Sequence, residues 1–383
     1  MNETNTTETA AAPLGLEGVV VAETQLSLVD GQRGRLIVGG HDIETLAREV
    51  PFEAMCGLLW DGTLPDAARL RTLERGLGEG RSRAFDQRWK LGAALEADDA
   101  MDALRAATAT LQAGHVAPAE TRLRLTAAIG VFAAAWHRRQ AGLPELPPDP
   151  TLRHSADLLR MIRGERATPA EEAALDSYLV TVAEHGMNAS TFTARVVAST
   201  ESDAVSAVVA AIGSLKGPLH GGAPGPVLDM LDAIGTPEQA EAWIRSELDA
   251  GRRIMGLGHR IYRVRDPRAA VLVDAVGRLE AAGVESRYLG LARSVERAAV
   301  GVLQERYPAR ALDTNVEFYT AVLLDVLGIP RRLFTPIFGS SRVAGWLAHI
   351  AEQNLSGRII RPSQRYIGPK PGAANPSAPN PSA

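Results

Sequence analysis

The chain offers few groupings of side chains suited to catalysis, and most sit beside a glycine or a helix start. In Lys216-Gly-Pro-Leu-His220-Gly-Gly-Ala223 a histidine precedes two glycines, just past a helix-ending Gly-Pro. Glycine lets backbone and substrate approach closely. An imidazole placed there can donate to a carbonyl oxygen while its other nitrogen is held. The same glycines would also serve simply to end one helix and begin the next. In Ile254-Met-Gly-Leu-Gly-His259-Arg-Ile-Tyr-Arg263-Val-Arg-Asp-Pro-Arg268, Gly256 and Gly258 permit tight backbone around Leu257, and exposed amides there suit a nucleotide or phosphate. His259 can polarise a second carbonyl. Arg263, Arg265 and Arg268 carry forked donors matched to carboxylates or phosphates, although each taken singly also fits a solvated basic loop. The glycine pair is not a dinucleotide fingerprint, because no strand precedes it and no third glycine follows at the required spacing.

A carboxylate comes from Asp313-Thr-Asn-Val-Glu317-Phe-Tyr. Asn315 reads as a helix cap, which puts Glu317 in the first turn, where the helix dipole favours the ionised form. Partial burial between Val316 and Phe318 would push its pKa the other way, toward that of a useful base. In Ser341-Arg342-Val-Ala-Gly-Trp346 an arginine begins a helix, and Arg361-Pro-Ser follows that helix; both arginines also read as surface charge. His185, in Glu184-His-Gly-Met-Asn188-Ala-Ser-Thr, is either a ligand or a helix-start residue. His41, His115, His137, His154 and His349 have no neighbourhood that suggests chemistry. No His-Glu-x-x-His, paired Asp cluster or Cys–His spacing points to a metal. Neither Gly-x-Ser-x-Gly nor a Walker loop is present. Catalysis by hydrogen bonds and a carboxylate base remains, with no metal and no cofactor expected.

The elements that must position these groups are mostly helices. Asp42 reads as a cap leading into Ile43-Glu-Thr-Leu-Ala. Leu123, Ala127, Val131 and Ala134 recur at spacings of three and four, one face of a buried helix. The prolines between Leu143 and Pro150 mark a loop. Ser190 to Leu215 is apolar-periodic up to Gly217-Pro218. Val316, Tyr319, Leu323 and Leu327 predict a helix stopped by Gly328 and Pro330, and Ser341 to Gln353 predicts the last long one. The one convincing β signal lies near the start, where Val19–Leu28 meets the turn pair Asp30-Gly31 and Arg35–Val38 returns as a hairpin. The class is therefore mainly α, with a small N-terminal β-hairpin.

Composition narrows the partners. Hydrophobic residues make up 45% and charged residues 22% of the 383 positions, ordinary for a folded protein with sizeable cores. A net charge of −4 argues against nucleic acid as the main partner. Cys56 is the only cysteine, so no intrachain disulfide can form. Met1 to Ala12 does not read as a secretory signal, and the apolar run Leu125–Trp136 is too short to cross a bilayer. No membrane partner and a cytoplasmic location are expected. Residues 1–14 and the tail 369–383, rich in Pro, Ala, Asn and Ser, read as disordered.

Together, His-Gly-Gly, Gly-Leu-Gly-His-Arg-x-Tyr, Asp-Pro-Arg, Asn-Val-Glu-Phe-Tyr and Arg-Pro-Ser resemble the citrate synthase family, in order and at similar spacings. The similarity runs from about Gly15 to Gly368. It implies a two-domain helical fold with a large domain of residues 15–220 and 324–368 and a small domain of residues 221–323. It also implies a homodimer with a shared active site, of the short type that has no extra N-terminal β domain.

Carried over, the resemblance makes His220, His259 and Glu317 catalytic, for thioester, ketone and proton abstraction respectively. His185, Arg268, Arg342 and a partner's Arg361 would hold oxaloacetate, and Arg263 with Gly256, Leu257 and Gly258 would contact CoA. The implied reaction joins acetyl-CoA, oxaloacetate and water to give citrate and CoA. A 2-methylcitrate synthase using propionyl-CoA is the nearest alternative, since one methylene discriminates by only about 1–3 kcal/mol. A weakly active relative that binds CoA and dicarboxylates for regulation is the alternative of another class. The departure from the family pattern is Glu317, where most members carry Asp.

Overall fold

The computed structural model describes residues 14–112, 117–222, 224–258, 262, 264–308, 310 and 312–368. The termini read as disordered, His259 and Arg263 lie outside these, apart from Leu14. Helices run α1 Ile43–Glu49, α2 Phe52–Asp61, α3 Ala67–Asp86, α4 Ala100–Ala109 and α5 Pro118–Gln140. They continue as α6 His154–Arg163, α7 Pro169–Val182, α8 Ala189–Ala198, α9 Ala204–Leu215 and α10 Pro224–Ile234. The last are α11 Ala240–Asp249, α12 Pro267–Ala281, α13 Leu289–Arg306, α14 Val316–Val326 and α15 Phe334–Ser356. The mainly α class is what the helical periodicity predicts.

Two long helices form the heart of the core. α5 packs against α3, α4, α6 and α15, and α15 also touches α2, α7, α8 and α9. Leu125 to Ala134 of α5 are buried throughout, which is why that apolar run belongs to a core rather than a membrane. No helix of the described residues is long and apolar enough to cross a bilayer. A second group, α10 to α14, packs within itself and meets α1 and α7 through α12.

The hairpin is smaller and later than the sequence suggests. β1 Ser27–Asp30 pairs antiparallel with β2 Arg35–Val38, and β3 His41–Asp42 adds a short third strand. Val19 to Leu26 is not strand, and Val19 and Val20 are exposed. β-branched content alone makes no strand without a partner edge to pair with. Asp42 does precede α1, but its carboxylate goes to Arg35 and caps no helix amide.

Two further boundaries differ from expectation. Ser190–Leu215 is two helices, broken at Ser199–Asp203, where Asp203 accepts from Ser206 N and starts α9 afresh. α15 begins at Phe334, so Arg342 lies in the body of the helix and is buried. Pro336 stands in the first turn, where its missing N–H costs nothing.

Candidate active site

Four local structures bring the candidate residues together. The first is the turn after α7. Glu184, fully buried, accepts from Gly186 N at 2.6 Å, Ser27 Oγ at 2.9 Å and His349 Nε2 at 3.1 Å. A Cβ at Gly186 would stand 3.1 Å from Val29 Cγ2, so the hairpin lies directly on this turn. The result is a rigid seat for His185, which is buried and has its Nε2 3.1 Å from Tyr262 Oη.

The second is the turn after α9. His220 N donates to Gly217 O at 2.9 Å, and Nε2 lies 2.8 Å from Ser190 Oγ at the start of α8. Asn188 caps α8 by accepting from Thr191 N, and Trp346 Nε1 donates to the same Ser190 oxygen at 3.1 Å. Burial, followed by the nearby Arg342 cation, lowers the His220 pKa to about 4. Its imidazole is thus neutral at pH 7, with Nε2 at Ser190 and a hydrogen bond to its own backbone that opposes the fall.

The third joins the glycine loop to α14. Gly258 N donates to Asp313 O at 2.8 Å and Asn315 N to Gly256 O at 3.0 Å, an antiparallel bridge that pairs Leu257 with Thr314. Gly258 therefore spends its amide inside the protein. Leu257, as the non-hydrogen-bonded member of that bridge, keeps its amide clear of it. Gly256, at φ 75°, has no room for a side chain, because a Cβ would fall 2.8 Å from Phe318 Cβ.

Asn315 caps α14 by accepting from Glu317 N at 3.0 Å, as its position in the sequence suggests, and Asn315 Nδ2 donates to Gly258 O at 2.9 Å. Glu317 lies between buried Val316 and Phe318, and its carboxylate accepts no hydrogen bond from a described residue. Burial raises its pKa to about 7; Arg268 and Arg253 oppose the rise and Asp266 adds to it.

The fourth is a pair of buried guanidinium groups. Arg268, in the first turn of α12, is held by Asp266 through Nε at 3.0 Å and Nη2 at 2.8 Å. Burial works against its charge, and Asp266, with smaller contributions from Tyr262 and Glu317, more than offsets that, so its pKa rises. Arg342 donates Nε to Val182 O at 2.6 Å and stacks over Phe338 at 4.6 Å. Gly345, one turn on, lets α15 lie against α7: a Cβ there would be 2.3 Å from Ala183 O. Burial, with Glu184 opposing and Arg268 assisting, lowers the Arg342 pKa to about 10. Two buried cations close enough to repel each other are a site awaiting negative charge.

Arg361 is exposed on the segment after α15 and makes no hydrogen bond or ion pair with the other described candidates. Asp266, Ser190, Tyr262 and the Glu184–His349 pair escaped the sequence reading. Asp266 and Tyr262 left traces there, the first because Asp-Pro announces a helix start and the second as the tyrosine of Gly-Leu-Gly-His-Arg-x-Tyr. His349, dismissed above, holds Glu184 from inside α15.

The sequence model of the citrate synthase C-terminal domain matches residues 15–363. The citrate synthase of Haloferax volcanii is 39% identical over 374 residues, covering 93% of this chain and 96% of its own. The crystal structure of citrate synthase from Thermotoga maritima aligns with a TM-score of 0.82 at 33% identity, over 93% of this chain and 96% of that one. The ternary complex of Thermoplasma acidophilum citrate synthase with carboxymethyl coenzyme A and oxaloacetate aligns with a TM-score of 0.82 at 26% identity, over 93% and 96%. The motifs in order, the helical fold and these matches over nearly the whole chain agree: the chain belongs to the citrate synthase family.

Proposed function

We propose that the protein condenses acetyl-CoA with oxaloacetate and water to give citrate and CoA. The observation that carries this reading is Glu317. It is a mostly buried carboxylate without a hydrogen-bond partner among the described residues, raised to about 7, on the helix stitched to the Gly256–Gly258 loop. Structural carboxylates are paired or solvated; one held unpaired near neutrality is suited to accept a proton.

In this reading the two buried guanidinium groups, with His185, bind the dicarboxylate of oxaloacetate as forked donors. Glu317 takes a proton from the acetyl methyl carbon. His220, neutral, donates from Nδ1 to the thioester oxygen as the enol forms. This requires the single Ser190 hydroxyl proton to be given to His220 Nε2 rather than to Asn188 Oδ1. The enol carbon bonds to the ketone carbon, and His259 delivers the proton that the new alkoxide needs. Water then cleaves the citryl thioester, releasing citrate and CoA. No step calls for a resident cofactor. Leu257, with its amide clear of the bridge, and Arg263 are assigned to CoA along with Gly256 and Gly258.

Residues 221–323 form the proposed small domain, which closes over the substrates and excludes water. A homodimer brings Arg361 into the neighbouring site. It is supported by exposed apolar side chains on both terminal segments, Val20, Leu355, Ile359, Tyr366 and Ile367. A cytoplasmic location fits this chemistry. The test is release of free CoA from purified protein with oxaloacetate and either acetyl-CoA or propionyl-CoA. Release with acetyl-CoA is expected to be faster. Faster release with propionyl-CoA would reassign the donor, and none with either would end the assignment as a condensing enzyme.

A further inference from the structure

Asp266 is among the most connected side chains near the site, and nothing in the reaction just described uses it. It is buried, 1% exposed. Oδ1 accepts from Arg268 N at 3.1 Å and Arg268 Nε at 3.0 Å; Oδ2 accepts from Arg268 Nη2 at 2.8 Å and Val316 N at 3.2 Å. One carboxylate thus caps the start of α12, grips an arginine head and caps the start of α14, one residue ahead of Glu317. Helix caps are normally local to one helix, so a cap shared between two helices far apart in sequence ties their ends together.

We propose that Asp266 is a positioning residue, whose single buried carboxylate fixes Glu317 relative to the carboxylate-binding arginine. This rests on the functional reading above. If the enol carbon must meet a ketone held by Arg268, the base and the arginine have to move as one body, since an ångström of misplacement costs about a hundredfold. A charge contribution accompanies the geometry. Glu317 is faced by Arg268 and Asp266 from the start of α12, by Arg253 before the glycine loop, and by Tyr178 of α7. Among these, Asp266 is the anion that offsets the cations.

Two variants separate the roles. Asp266→Asn keeps an acceptor and the shape but removes the charge. Affinity for oxaloacetate by calorimetry should fall about tenfold or more as Arg268 loses a charged partner. The acidic limb of the kcat/KM profile should also move to lower pH, because the cations then act on Glu317 unopposed. Asp266→Glu keeps the charge but cannot hold both helix starts, so affinity should fall while the limb stays. A merely structural residue would lower activity in both variants without that split. Wild-type affinity in both, or a limb that moves alike in both, overturns the proposal. Should Asp266→Asn not fold, an unchanged oxaloacetate affinity in Asp266→Glu is enough to overturn it. Wild-type protein that binds oxaloacetate yet releases no CoA would instead refute the functional reading, and the affinity comparison still decides the role of Asp266.

Discussion

Replacing Glu317 with Gln should make the ligand-free protein more stable while disabling it, and the gain should depend on pH. Burial lifts this carboxyl from an ordinary 4.5 to about 7 in the folded chain. Between those values the folded state holds a proton that the unfolded state has lost, so wild-type stability falls as pH rises through this window. Above about pH 7 the loss is complete. At about 1.4 kcal/mol per pH unit the span corresponds to about 3 kcal/mol, and the residual exposure of the side chain reduces this to about 2. Gln carries no charge to desolvate. The variant should therefore match wild type near pH 4.5 and exceed it by about 2 kcal/mol at pH 8. Urea unfolding at both pH values, followed by circular dichroism, measures the difference. A gain of the same size at both pH values, or a loss at pH 8, would refute the claim that an unpaired, buried charge sits at this position. A stability gain coupled to lost activity is the pattern of a functional group held against its own solvation.

Arg342→Gln should weaken oxaloacetate binding at least tenfold in calorimetry with little change in fold, because the buried cation has Val182 O and Phe338 as its own partners and, in the proposed site, would be complemented by the substrate carboxylate. Mixing Arg361→Ala with His259→Ala chains should restore CoA release through hybrid dimers, as one of the two sites regains both groups; no restoration after verified subunit exchange counts against a shared site. Away from the site, Asp176 on α7 is buried beside Glu53, and burial together with that neighbouring carboxylate raises its pKa. The folded chain therefore binds a proton there that the unfolded chain releases, and wild-type stability declines as pH rises above the ordinary carboxylate range. Asp176→Asn should flatten that decline in urea titrations, and an unaltered slope would show that the pair is already relieved.

The chemistry was more legible in the sequence than its supports. Asn315 and Glu317 were readable because a cap, a dipole position and two apolar neighbours are all local, and those local facts set the carboxylate's environment. Arg342 reads as a helix start because the last helical run is taken from Ser341, whereas α15 begins at Phe334. In the fold Pro336 occupies the first turn, and Gly339 lies against Leu215 and Leu104. Ser190 carries no local signal of a role; its meaning comes from His220, 30 residues away, and Trp346, 156 residues away. Glu184 and His349 are 165 residues apart and meet only because Gly345 lets α15 lie against the end of α7. Long-range polar pairs of this kind leave no period and no local spacing to detect.

The role of Glu317 as the base is tested most directly by the proton-abstraction step alone. With a non-condensing analogue of oxaloacetate bound, exchange of the acetyl-CoA methyl protons with deuterated solvent isolates that step from condensation and hydrolysis. Wild-type protein should catalyse the exchange, and Glu317→Gln should lower it by about 10²–10⁴-fold while binding the analogue with nearly unchanged affinity. Exchange at the wild-type rate in Glu317→Gln would contradict the assignment outright.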